Sequence, residues 1–193
     1  MIDLSDIGKV KRLVRACING ERESQKLFYQ TFYGRMLSMC MRYADNREEA
    51  KDILHDGFIK VFANLKDFEF KGSLEGWVKR IVTNTAIDAV RKKKNFLVEL
   101  EENRNYDGII DDSVENAEHE QFIQIKAEII MELIQKLSPM YRTVLNLYVF
   151  EELTHKEIAE QLNINIGTSK SNFAKAKRNL IKLFEEYINE HKQ

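Results

Sequence analysis

Two groups of side chains in this sequence have types and spacing that could carry chemistry. The first is His55-Asp56, an imidazole beside a carboxylate, which could begin the metal site of a phosphohydrolase. Such a site needs further histidines and acids, yet His119 lies in an acidic stretch, His155 at a helix start and His191 near the C-terminus. There is also no glycine-rich phosphate loop, HExxH sequence or nucleophile elbow, so neither an enzyme nor a bound metal or cofactor is predicted. The second group runs from Thr168 to Lys182 and mixes Thr168, Ser171 and Asn172 with Lys170, Lys175, Arg178 and Lys182. Short hydroxyls and amides suit base edges and the cations suit phosphates, which is the chemistry of DNA recognition.

A formal net charge of −1 does not oppose that reading, because phosphate attraction depends on where charge clusters. Lys71 to Lys94 holds seven basic and two acidic residues, and Lys170 to Lys182 holds five basic and none acidic. Between them, Phe96 to Glu120 holds nine acidic residues and one basic. Two basic blocks thus flank an acidic bridge. Cys17 and Cys40 are too few for a disulfide framework or a zinc site and read as buried, reduced thiols. Charged residues interleave the N-terminal apolar ones, so neither a signal peptide nor a membrane span is predicted, and the expected location is cytoplasmic.

One proline and eight glycines in 193 residues leave little punctuation, and long helices are expected to position these groups. Helical spacing runs from Ile7 to Cys17, breaks at Asn19-Gly20, and resumes from about Glu21 to Tyr43. Asp45 or Asn46 can cap a third helix, whose stripe Ala50, Ile53, Leu54, Gly57, Phe58, Val61 and Leu65 faces away from Glu48, Asp52, His55 and Asp56. After a loop over Lys66 to Gly72, Ser73 can cap a helix with Leu74, Trp77, Val78, Ile81, Thr85 and Ala89 inward, ending in the basic run Arg91 to Lys94. The acidic segment lacks periodicity and reads as a linker. Helical pattern returns from Glu118 to Leu137, and Ser138-Pro139 opens another helix to Phe150.

Thr154 and Glu157 have capping-box spacing, so a helix should start at His155. Asn163 can take the left-handed conformation that ends it, and Asn165 can cap the next helix. In that helix Ser169, Phe173, Ala176, Leu180 and Leu183 fall on one side. Ser171, Lys175, Arg178 and Lys182 fall opposite, with Thr168 and Asn172 alongside. Two helices across a tight turn, the second with a polar basic face, predict a helix-turn-helix.

The runs Glu157-Ile158-Ala159-Glu160-Gln161-Leu162, Gly167-Thr168-Ser169-Lys170-Ser171 and Ala174-Lys175-Ala176-Lys177-Arg178-Asn179-Leu180 resemble the C-terminal domain of extracytoplasmic-function (ECF) sigma factors. Leu137-Ser138-Pro139 and Tyr141-Arg142 fit as well. In the N-terminal half, Asp52-Ile53-Leu54-His55-Asp56, Phe58, Phe62, Phe68, Ser73, Trp77, Arg80-Ile81, Asn84, Asp88 and Arg91 look like that family's other domain. The resemblance implies an all-α protein of two helical domains, sigma region 2-like over residues 1–95 and region 4-like over 121–193, joined by an acidic linker over 96–120.

It further implies a dissociable subunit that joins core RNA polymerase, places it at promoter DNA and helps open the duplex. Thr168, Lys170, Ser171, Asn172, Lys175 and Arg178 would then contact the minus-thirty-five element. The minus-ten element would meet the loop and helix carrying Phe68, Phe70, Ser73, Lys79, Arg80, Asn84 and Arg91. Phe68, Phe70 and Asn84 suit an extruded base, although either phenylalanine suits a core equally well, and Trp77 is expected in the core. Asp52, His55 and Asp56 would face the clamp helices of the polymerase's largest subunit. The linker's acidity fits either mimicry of a nucleic-acid backbone or solvated disorder. An anti-sigma factor is a common partner in the family. His55 stands where an amide is usual, and Asn172 where arginine is frequent. The competing reading is a helical DNA-binding regulator acting without polymerase, which would need a ligand pocket, phosphoacceptor or dimer helix in the N-terminal half.

Overall fold

A computed structural model of the protein describes Leu4, residues 6–93 and residues 127–191. The expected linker over 96–120, and both domain boundaries drawn beside it, lie outside the described residues. Among the described residues every regular element is helical, and the chain divides into two compact units, Met1–Ala89 and Val90–Gln193.

The first unit begins with α1 (Ile7–Ile18), whose N-cap Asp6 accepts from the Lys9 amide at 3.0 Å. Asn19-Gly20 then reverses the chain, with Gly20 in the left-handed region at φ 81°, and α2 (Arg22–Met41) follows. Asn46 caps α3 (Arg47–Asn64) by accepting from the Glu49 amide at 2.9 Å. A short 3-10 turn, Leu65–Asp67, leads into a loop, and the Ser73 hydroxyl caps α4 (Leu74–Arg91) by accepting from the Gly76 amide at 3.3 Å.

Val14, Phe28, Phe32, Met36, Ala50, Leu54, Phe58 and Val61 are all buried in this unit's core. Phe28 packs against Phe32 at 4.9 Å and Phe62 at 5.4 Å between ring centroids. From α4 the buried side chains are Leu74, Val78, Val82, Ala86, Ile87 and Val90 with Thr83 and Thr85, while Ile81 and Ala89 are only half-buried. The inward stripe is therefore wider than expected and centred differently. A Cβ built on Gly57 would lie 3.1 and 3.3 Å from the Val82 methyls and 3.4 Å from the Val82 Cα, so glycine permits the close approach of α3 to α4. Both thiols are free and buried, and desolvation raises Cys17 to about 11 and Cys40 to about 12, which leaves them inert near neutral pH.

The second unit contains α5 (Ala127–Gln135), α6 (Pro139–Val149), α7 (His155–Leu162) and α8 (Ile166–Glu190). Pro139 presets the first turn of α6, while Ser138 holds the N-cap position without a side-chain capping bond. Ile134, Leu137, Leu145 and Ala176 form one core cluster, flanked by Ile130, Tyr141, Phe173, Leu180 and Leu183. Arg142 is 1% exposed, and its Nη1 donates to the Gln135 carbonyl at 3.1 Å, satisfying the end of α5. No described helix is long and apolar enough to cross a membrane.

Candidate nucleic-acid interface

The start of α7 is held by a reciprocal box. The Thr154 hydroxyl accepts from the Glu157 amide at 3.3 Å, and the Glu157 carboxylate accepts from the Thr154 amide at 2.8 Å and its hydroxyl at 2.7 Å. Those two side-chain and backbone hydrogen bonds from Thr154 hold the Glu157 carboxyl below its ordinary range. A carboxylate depressed in the folded state stabilises above its unfolded pKa, and that contribution disappears as pH falls through the folded value. Acid titration of the full chain, followed by circular dichroism, should therefore show the cap failing below the ordinary carboxylate range, with Glu157→Gln removing this part of the pH dependence. An unchanged acid limb in that variant would contradict the capping role.

Asn163 ends α7 at φ 55°, ψ 49°, and two residues later the Asn165 side chain accepts from the Thr168 amide at 2.6 Å to begin α8. The second helix is then fixed by a cluster that crosses all three helices. His155 stacks on Tyr148 at 4.7 Å, Tyr148 packs on Phe173 at 4.3 Å, and His155 Nδ1 is hydrogen-bonded to the Ser169 hydroxyl at 2.9 Å. The sequence marked His155 only as a helix start. Its role as a pivot needs Tyr148 and Phe173, and spacing does not bring them together.

This cluster sets which face of α8 is outward. Lys170 and Arg178 are exposed, and Ser171 and Lys175 are half-buried. Thr168 and Asn172 are not available: they are 4% and 0% exposed, which corrects their assignment as base-contacting residues. With 100° between successive residues, the outward face is turned by roughly 100° from the expected one, about one residue. Its centre runs through Lys170, Ala174 and Lys177, and exposed Ile166 and Gly167 lie at its N-terminal end. Sequence reasoning missed these last four as face residues. Asn172 Oδ1 and Nδ2 are buried without hydrogen-bond partners.

On α4, Arg80, Asn84 and Arg91 are exposed and share one stripe with half-buried Trp77, whereas half-buried Lys79 lies on the flank, roughly 100° round. The Ser73 hydroxyl is engaged as the cap of α4. Phe68, at 7% exposure, is a core residue between Trp77 at 5.5 Å and Phe70 at 4.8 Å, which removes it as a base-contacting residue in its own right. Phe70 is half-buried and stands in the left-handed region at φ 58°. On α3, Asp52, His55 and Asp56 are exposed together, with Ile59 at 56% exposure on the same face. Among the described residues no group of three histidine, cysteine or acidic side chains is placed to hold a metal.

A capped helix-turn-helix in one unit and a polar helix, aromatic loop and basic helix in the other define a two-part helical DNA-binding protein. Residues 28–96 match the family model for sigma-70 region 2 and residues 127–180 match that for sigma-70 region 4, together well over half of the chain. The ECF RNA polymerase sigma factor SigW of Bacillus subtilis (strain 168) is 28% identical over 179 residues, covering 90% of this chain and 95% of SigW. RNA polymerase sigma factor YlaC of the same organism is 27% identical over 170 residues, covering 86% of this chain and 96% of YlaC. The sigma factor RpoE, solved in complex with the anti-sigma factor NepR from Bartonella quintana, shares the fold with a TM-score of 0.51 at 21% identity, over 83% of this chain and 96% of that one. The chain belongs to the sigma-70 family as an ECF sigma factor. It is a promoter-specific initiation factor for RNA polymerase and not an enzyme.

Proposed function

We propose that α8 reads the minus-thirty-five element through Lys170, Ser171, Lys175 and Arg178, while the Phe70 loop and the Arg80, Asn84, Arg91 stripe of α4 engage the minus-ten element. Lys79 contacts phosphate from the flank. The observation that carries the reading is the outward face of α8, which holds Lys170, Lys177, Arg178 and Lys182 with no acidic residue before Glu185. Asp52, His55 and Asp56 on α3 dock on the clamp helices of core polymerase, with Ile59 as an apolar centre. The acidic segment 96–120 joins a region 2 domain over 1–95 to a region 4 domain over 121–193. The RpoE structure holds the anti-sigma factor NepR, so a protein of that kind is the expected inhibitory partner, and the site of action is the cytoplasm.

The test is run-off transcription with purified core polymerase, a promoter library and the protein present or absent. Protein-dependent transcripts from a subset of promoters are expected, and none across the library would sink the proposal. In the same preparations Asp52→Ala should weaken core binding by roughly fivefold or more, as loss of one interface contact of about 1 kcal/mol implies, with unchanged helicity. Equal core affinity would refute the assigned face.

A further inference from the structure

The loop after the 3-10 turn presents one aromatic ring whose environment the promoter reading does not explain. Phe70 holds φ 58°, a conformation that aromatic residues rarely adopt and that persists only when neighbours enforce it. One neighbour is Phe68, whose ring lies 4.8 Å away and is itself backed by Trp77. The other comes from a distant part of the sequence: α1 packs against the 3-10 turn, and Lys11 Nζ on α1 lies over the Phe70 ring, 5.7 Å from its centroid. The loop's own cation is engaged elsewhere, because Lys71 pairs with Glu69 at 2.7 Å. A four-membered chain of contacts results, running from Trp77 through Phe68 and Phe70 to an exposed ammonium.

An unpaired base and an ammonium compete for the same kind of surface, the face of an aromatic ring. A base that stacks on the Phe70 face covered by Lys11 must displace the ammonium. Lys11 sits on a flexible four-carbon stem on an exposed face of α1, and a nucleotide on Phe70 brings its own phosphate within the reach of that stem. We infer that Lys11 is a positioning residue of the minus-ten site: it covers Phe70 when the site is empty and moves to the backbone phosphate when a single-stranded base takes the ring. This rests on the reading of the Phe70 loop as the minus-ten site. Lys11 thereby covers the ring before DNA arrives, and adds one counterion-releasing contact after it.

The experiment uses holoenzyme reconstituted with core polymerase and two fork-junction DNAs built on a promoter that the holoenzyme transcribes. One carries the intact minus-ten strand and the other an abasic site in place of the stacked base. With the intact fork, Lys11→Ala should lower the slope of log affinity against log salt by about 0.7, the share of one phosphate on a single strand, so that the wild-type advantage falls about 2.6-fold over a fourfold rise in salt. Lys11→Arg should keep the wild-type slope. With the abasic fork, where Lys11 stays on the ring, Lys11→Ala and wild type should share one slope. An unchanged slope for Lys11→Ala on the intact fork, or an equal change on both forks, overturns the inference. Phe70→Ala separates this from the parent reading: if it binds both forks like wild type, the loop is not the minus-ten site at all.

Discussion

Replacing Lys170 and Arg178 together by alanine should reduce affinity for the upstream promoter element by at least about thirtyfold, since each well-placed base contact discriminates by about 1–3 kcal/mol. Both side chains are exposed on α8, which carries no acidic neighbour there, and neither packs in the core, so the loss should come without a change in melting temperature. The salt slope should also fall, because a lysine or arginine that binds phosphate releases counterions. Asn172→Leu is the contrasting variant. Its amide is fully buried with both polar atoms unpartnered, so leucine should stabilise the full chain by about 1 kcal/mol and leave promoter preference untouched. A changed base preference in Asn172→Leu, or an unchanged one in the double alanine variant, would show that another face of α8 enters the groove.

Gly57→Leu should destabilise the first unit by about 1–3 kcal/mol, the range for forcing extra atoms into a filled core. The nearest atoms to a Cβ at this position are both methyls and the Cα of Val82, so the helices themselves must part and no rotamer change suffices. Val82→Ala removes the two methyls, at some cost of its own, and should recover part of the loss when combined with Gly57→Leu. Chemical denaturation of the full chain, with the four members of the cycle compared, measures the coupling. Strictly additive effects would place the α3–α4 contact somewhere other than Gly57 and Val82.

What was legible in the sequence was mostly local. Asn46, Ser73, Thr154 with Glu157, Asn163 and Asn165 each act on a backbone group within four residues, and the structure uses every one at the expected helix end. The rotational setting of a helix is different in kind, because it is decided by what packs against it. Phe173 looked like a centre of the buried side of α8, but Tyr148 and His155 meet it at the edge, and the face turns so that Thr168 and Asn172 go under. The same holds for α4, where Val82 packs on Gly57 of α3 and Ala86 is buried while Ile81 and Ala89 are left at the margin. Phe68 and Phe70 are chemically alike and two residues apart, yet only a backbone turn at Phe70 separates a core ring from a half-exposed one. Ile59 carried no signal, since a lone apolar residue on a polar stripe has no periodicity to reveal it.

The polar side chains that hold the helix-turn-helix together, Thr154, His155, Glu157, Asn165 and Ser169, are a different set from those that face outward on α8. Scaffold and alphabet are therefore separable: Lys170, Ser171, Ala174, Lys177 and Arg178 can be exchanged without disturbing a single capping bond. A lineage can drift to new promoters through folded intermediates at every step, and a laboratory can randomise those five positions to build mutually insulated transcription circuits on one unchanged frame.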